Sequence, residues 1–114
     1  MKVIMFLMAL LAASCAGTLA RAAASNPFDG EWVDVIVDEN EHCDVRVDTS
    51  FTVANGHLSQ PGSSGTVNPN GSAQGTSANS GLTATWTGHF AGNKAPGRFR
   101  RSDGCVGRWS AVRR

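Results

Sequence analysis

The sequence predicts an all-β domain: a small antiparallel meander of seven or eight strands that closes into a barrel or a flattened sandwich. Three observations predict it. From residue 25 onward no window carries its apolar residues at a helical period, whereas alternation with period two runs through most of the chain. Tight-turn signals interrupt that alternation at short intervals. The two ends of the domain also share a Gly-x-Trp pattern, Gly30-Glu31-Trp32 and Gly107-Arg108-Trp109. A barrel has no free edges only if its first and last strands pair.

The chain has 114 residues, enough for one domain. Lys2 precedes an unbroken apolar run from Val3 to Ala13, too short to span a bilayer and suited to the core of a secretory signal. Ala22-Ala23-Ala24 supplies an A-x-A site before Ser25, so residues 1–24 read as a signal peptide and 25–114 as the domain. Cleavage after Ala20 or Ala16 is the alternative. Leu11-Ala12-Ala13-Ser14-Cys15 loosely resembles a bacterial lipobox, with Ala12 where leucine is usual. Cys15 is then either a small residue of the leader or a lipidation site, and in the second case residues 16–27 form a tether.

The first strand spans 31–37, with Val33, Val35 and Val37 on one face and Trp32, Asp34 and Ile36 on the other. Cys43 opens the second, where Val45, Val47, Phe51 and Val53 align. Asn55-Gly56 then reads as a hairpin turn, because both central positions of a type I′ turn need positive φ. The middle of the chain, 59–81, is weakly apolar. Pro61-Gly62, Asn68-Pro69-Asn70-Gly71 and Asn79-Ser80-Gly81 mark turns around short polar strands at Gly65–Val67 and Ser72–Ser77. A flexible loop is the other reading of that stretch. Leu82, Ala84, Trp86, Gly88 and Phe90 share one strand face, and His89 lies on the opposite one. A turn is expected over Gly92–Pro96, a strand around Phe99, a turn at Ser102-Asp103-Gly104, and a last strand over 105–112.

Strands 31–37 and 105–112 are the expected closing pair. Gly30 and Gly107 would admit close backbone approach, and Trp32 and Trp109 would plug one or both ends of a core poor in large side chains. Removing the leader leaves two cysteines, Cys43 and Cys105, which in a small exported domain read as a disulfide pinning both neighbours of the first strand. Charge agrees with this closure. Eight of the nine acidic residues lie between Asp29 and Asp48, and seven of the eight basic residues after position 24 lie between Lys94 and Arg114. The segregation reads as a register device, with an Arg-rich patch for an acidic ligand as the alternative.

Little in the sequence suggests catalysis or a cofactor. His42, His57 and His89 have no metal-ligand spacing, and the acidic run Asp38–Asp44 lacks the glycine and glutamate of a calcium loop. Gly62-Ser63-Ser64-Gly65 lacks the spacing of a nucleophile elbow. The near-zero net charge of the domain implies neither nucleic acid nor an anionic membrane as partner, and membrane attachment would require a lipid at Cys15.

Two resemblances follow from the ends. Phe28-Asp29-Gly30-Glu31-Trp32 and Cys105-Val106-Gly107-Arg108-Trp109-Ser110-Ala111-Val112-Arg113 resemble the paired ends of small exported bacterial proteins of unassigned function, which brings no activity with it. Gly-x-Trp on a first strand also resembles the opening of lipocalin-like and avidin-like barrels and of periplasmic metalloprotease-inhibitor barrels. The inhibitor resemblance implies that Ser25-Asn26-Pro27-Phe28 would enter a protease cleft. The inhibitors' cysteines lie close together in the early strands, whereas those here stand 62 positions apart. Ligand carriage meets another objection, since a domain of about 90 residues leaves little room for an interior cavity. The sequence therefore leads to an exported periplasmic or secreted protein. It is expected to be a non-enzymatic structural or interaction module of the cell envelope, with an unknown protein or envelope partner. A protease inhibitor or small-ligand-binding barrel is the alternative.

Overall fold

A computed structural model describes residues 26–39, Cys43 and 46–114. The leader, Cys15 and His42 lie outside these described residues, as does most of the acidic run 38–44. Eight strands follow one another without a helix among the described residues: β1 (Gly30–Asp38), β2 (Arg46–Ala54), β3 (His57–Gln60), β4 (Ser63–Val67), β5 (Ser72–Asn79), β6 (Leu82–His89), β7 (Lys94–Arg101) and β8 (Val106–Arg113). Each pairs with the next, and β1 pairs antiparallel with β8, so the sheet closes on itself as a barrel.

Local chemistry sets the turns. Asn55 and Gly56 have φ of 53° and 77°, and Ser80 and Gly81 have 53° and 80°, the two consecutive positive values of a type I′ hairpin. The weakly apolar middle is thus built into the barrel as β3, β4 and β5 rather than left as a loop. Strand ends differ from the sequence reading by one to three residues, and two of the differences bear on the fold. Cys43 lies in a turn ahead of β2, which begins at Arg46. Pro96 belongs to β7 and not to the turn before it. The β6–β7 ladder ends at Gly88–Gly97, so Pro96 keeps a strand partner on the β8 side alone, the edge-like position that proline tolerates.

One face of each strand points inward and builds an aromatic core. Trp32 is completely buried, stacked on Phe51 at 6.1 Å and met edge-on by Phe90 at 4.9 Å. Trp109 meets the edges of Phe51 and Trp86, at 6.4 and 5.7 Å between ring centroids. Glycine faces the large rings directly across the sheet: Gly75 is in register with Trp86, Gly97 with Trp109 and Gly107 with Phe99. A Cβ at Gly97 would overlap the Trp109 ring, and one at Gly75 would overlap Trp86. Glycine in a strand interior ordinarily weakens it; here the missing side chain lets each ring lie flat on the neighbouring backbone.

Residues 26–29 and the end of β8 plug one mouth of the barrel. Asn26 Nδ2 donates to the Val67 carbonyl at 2.7 Å, and the Asp29 carboxylate accepts from the Asn55 and Gly56 amides at 2.9 and 3.0 Å. Phe28 is buried, and its carbonyl accepts from Trp32 Nε1 at 3.0 Å. Arg113 reaches across from β8. It donates to the carbonyls of Asp29, Pro27 and Gly92 and to Asn93 Oδ1, and it lies 4.8 Å above the Trp32 ring. Gly30, at φ 141°, sits against this arginine's side chain rather than against a neighbouring backbone.

Candidate functional site

The opposite mouth is open. There a cavity of about 340 Å³ enters the barrel, lined from all eight strands or the turns that join them. Its floor and walls are apolar and aromatic, formed by Ile36, Phe51, Leu58, Trp86, Phe99 and Trp109. The rim is polar and small: Ser63, Ser77, Asn79, Ser80 and Thr83, with Val47 at its edge. Several rim groups are held by one another or by backbone, as Ser77 Oγ is by Ser63 Oγ at 3.0 Å and Gln60 Nε2 by the Ser50 carbonyl at 2.8 Å. An eight-stranded barrel has an interior just wide enough to be filled by side chains or to hold one small ligand. The glycine–aromatic pairing moves this barrel toward the second outcome, because rings pressed on glycine backbone leave the axis clear. The expectation that so short a domain has little room inside is therefore corrected.

Asp34 is the unusual member of the lining. It lies on β1 between Trp32 and Ile36, on the inward face, and is only 6 % exposed. Its Oδ1 has no hydrogen-bond partner among the described residues; neither have the indole nitrogens Trp86 Nε1 and Trp109 Nε1. All three residues line the cavity. A buried polar group without a partner costs about 1–3 kcal/mol, more if charged, so the walls of this space carry polar groups that the fold itself leaves unsatisfied.

Burial pushes the Asp34 carboxyl up from 3.8 to about 6, opposed by a hydrogen bond from its own backbone amide. A carboxyl raised in the folded state binds its proton first as pH falls. It therefore destabilises the fold above about pH 6 and ceases to do so below about pH 4. The shift corresponds to about 3 kcal/mol. We expect the protein to gain stability toward that size between pH 7.5 and pH 4, and Asp34→Asn to remove most of the gain. Denaturant midpoints of both proteins at the two pH values test this; parallel pH profiles would refute it. Asp103, outside the cavity, acts in a lower window. Hydrogen bonds from Arg101 and from the Cys105 amide hold its carboxyl down to about 2, so its contribution is lost only below pH 4.

The sequence-predicted residues take distinct places. Cys43 and Cys105 are joined by a disulfide, with 5.5 Å between their Cα atoms, in the turns flanking the open mouth. The bond bridges β1, which lies between β2 and β8 in the ring. Such a bond belongs to a non-reducing environment. No helix among the described residues is long and apolar enough to cross a membrane. Trp32 belongs to the plugged end, whereas Trp109, in register near Ile36 of β1, lines the cavity and closes no end. Gly107 lies where a Cβ would strike the Val37 carbonyl oxygen and the Phe99 ring, so it permits both the β1–β8 approach and the seating of Phe99. The acidic and basic blocks do meet: Glu39 pairs with Arg98 at 2.6 Å and with Arg108 at 2.9 Å. Both arginines are exposed, so the pair fixes register more than it adds stability. His57 and His89 point outward to solvent. Among the described residues no three His, Cys, Asp or Glu side chains gather in a way that would hold a metal ion.

The sequence reading passed over Asp34. Its signal was an ionisable residue at an inward period-two position between Trp32 and Ile36. Comparison with family models, with curated proteins and with solved structures finds no match to this chain, and the cavity's own geometry carries the functional reading.

Proposed function

We propose that this protein is an exported, non-enzymatic binding barrel that carries a small, largely apolar molecule in its open interior. The periplasm or the extracellular space is the compartment that suits it. The observation that carries the reading is the cavity of about 340 Å³, walled by Phe51, Trp86, Phe99 and Trp109 and with the buried Asp34 in its lining. An apolar pocket with a few convergent polar groups is the usual form of a small-molecule site, and this volume lies at the lower end of the range of about 300–1,000 Å³. A structural module would need no such cavity. The inhibitor reading requires a free arm before the barrel. The described part of that segment, Asn26–Phe28, is instead bound into the plugged end through Val67, Trp32 and Arg113.

The three tryptophans provide the test. Indole is a neutral probe of suitable size. Added to nitrogen-15-labelled protein, it is expected to shift the side-chain N–H resonances of Trp86 and Trp109 saturably. That of Trp32, bonded to the Phe28 carbonyl at the far end, serves as the reference. Ala84 lines the cavity from β6, and Ala84→Phe should fill the space and abolish the shifts while the remaining spectrum persists. Absence of saturable shifts in the parent protein, or equal shifts in the filled variant, would overturn the reading.

A further inference from the structure

We infer that the cavity selects a small organic amine: a protonated primary or secondary amine on a body of one or two rings, with the ammonium on the Asp34 side of the cavity. The inference rests on the binding-barrel reading and adds the chemistry of the ligand.

Three features of the cavity lead to it. The carboxylate in its lining is more than nine-tenths buried, and Oδ1 lacks a partner among the described residues. Among the described residues no cation neutralises it. Of the described residues lining the cavity, Arg101 of β7 is the one other charged group, and both Nε and Nη2 of Arg101 are committed to Asp103 at 2.9 Å. The positions opposite Asp34 on its two neighbouring strands are Thr49 of β2 and Ala111 of β8, which bring no charge. The walls are aromatic, with Phe51, Trp86 and Trp109 forming one edge-to-face group, and such faces attract a desolvated ammonium. A carboxylate ligand meets the reverse situation, since it would share a closed space with an uncompensated like charge. A neutral alcohol leaves the Asp34 charge uncompensated.

The pH behaviour follows. An ammonium favours ionised Asp34, whose carboxyl is raised to about 6 by burial. Its affinity should be flat above that pH and fall roughly tenfold per unit below it. A neutral ligand should show no such fall.

Tyramine, its alcohol counterpart 4-hydroxyphenethyl alcohol, and 3-(4-hydroxyphenyl)propanoate share one ring and one phenol and differ in charge. Titrated at pH 7.5 against the oxidised full domain, with the Trp86 and Trp109 indole resonances as readout, tyramine should bind at least about tenfold more tightly than the alcohol, and the propanoate most weakly. Asp34→Asn should reduce tyramine to the level of the alcohol while leaving the alcohol within about twofold. Equal or tighter binding of the alcohol, or an unchanged preference in Asp34→Asn, would overturn the amine inference and leave the binding barrel standing. Failure of indole and all three probes to bind would overturn both.

Discussion

Replacing Cys43 and Cys105 together by serine is expected to lower the unfolding free energy by about 4 kcal/mol. The bond joins residues 62 positions apart, and on the chain-entropy account a loop of that length restricts the unfolded ensemble by about this amount. Typical domains have about 5–15 kcal/mol in all, so most of the margin of so small a barrel would be at stake. The loss should also be uneven. The plugged end keeps Arg113, Asp29 and Asn26 in place, whereas at the mouth the turns on either side of β1 lose the covalent tie across it. Amide exchange should therefore accelerate first at the start of β2, the end of β1 and the start of β8. Chemical denaturation of the oxidised protein against the double serine variant measures the size. A difference below about 1 kcal/mol would show that the loop contributes little to the unfolded-state entropy assumed here.

Trp32→Ala should destabilise by a similar amount, about 4 kcal/mol, the range for emptying a buried aromatic site. Trp32 is the largest side chain with no exposure, and Phe51, Phe90 and Arg113 all pack on its ring. Its removal also leaves the Phe28 carbonyl without its indole donor, so the plug loses a hydrogen bond as well as a packing surface. Trp32→Phe separates the two effects. It keeps most of the ring and loses the donor, and it should cost about 1–2 kcal/mol. Guanidinium midpoints of the three proteins, at equal denaturant slope, provide the comparison. If the alanine variant loses less than the phenylalanine variant, the ring is not the centre of the core.

The parts of the fold set by short-range chemistry were legible in the sequence. Asn55-Gly56 and Asn79-Ser80-Gly81 each announce a hairpin, because few other residues accept consecutive positive φ, and the structure turns at both. The even positions of 82–90 face inward as the alternation indicates. The barrel closure was legible from matching ends and segregated charge, and β1 does pair with β8. Pro96 misled because proline usually breaks a ladder, and the sequence alone cannot reveal that the β6–β7 ladder ends one residue away. The cavity was hidden for a related reason. Its room comes from Gly75 lying opposite Trp86 and Gly97 opposite Trp109, and that depends on register between strands, which alternation within one strand does not specify. Asp34 was visible as an odd residue on a face with Trp32 and Ile36. That it lacks a partner emerges only when the surrounding strands are in place.

The first described residues lie beside the C-terminus: Arg114 donates its amide to the Glu31 carbonyl, and Arg113 holds the Pro27 and Asp29 carbonyls. Anything fused or tethered after Arg114 thus departs from the stopper side of the cup and leaves its opening unobstructed. A label, a surface linkage or a second domain can be attached at that extremity without standing in the path by which a guest enters.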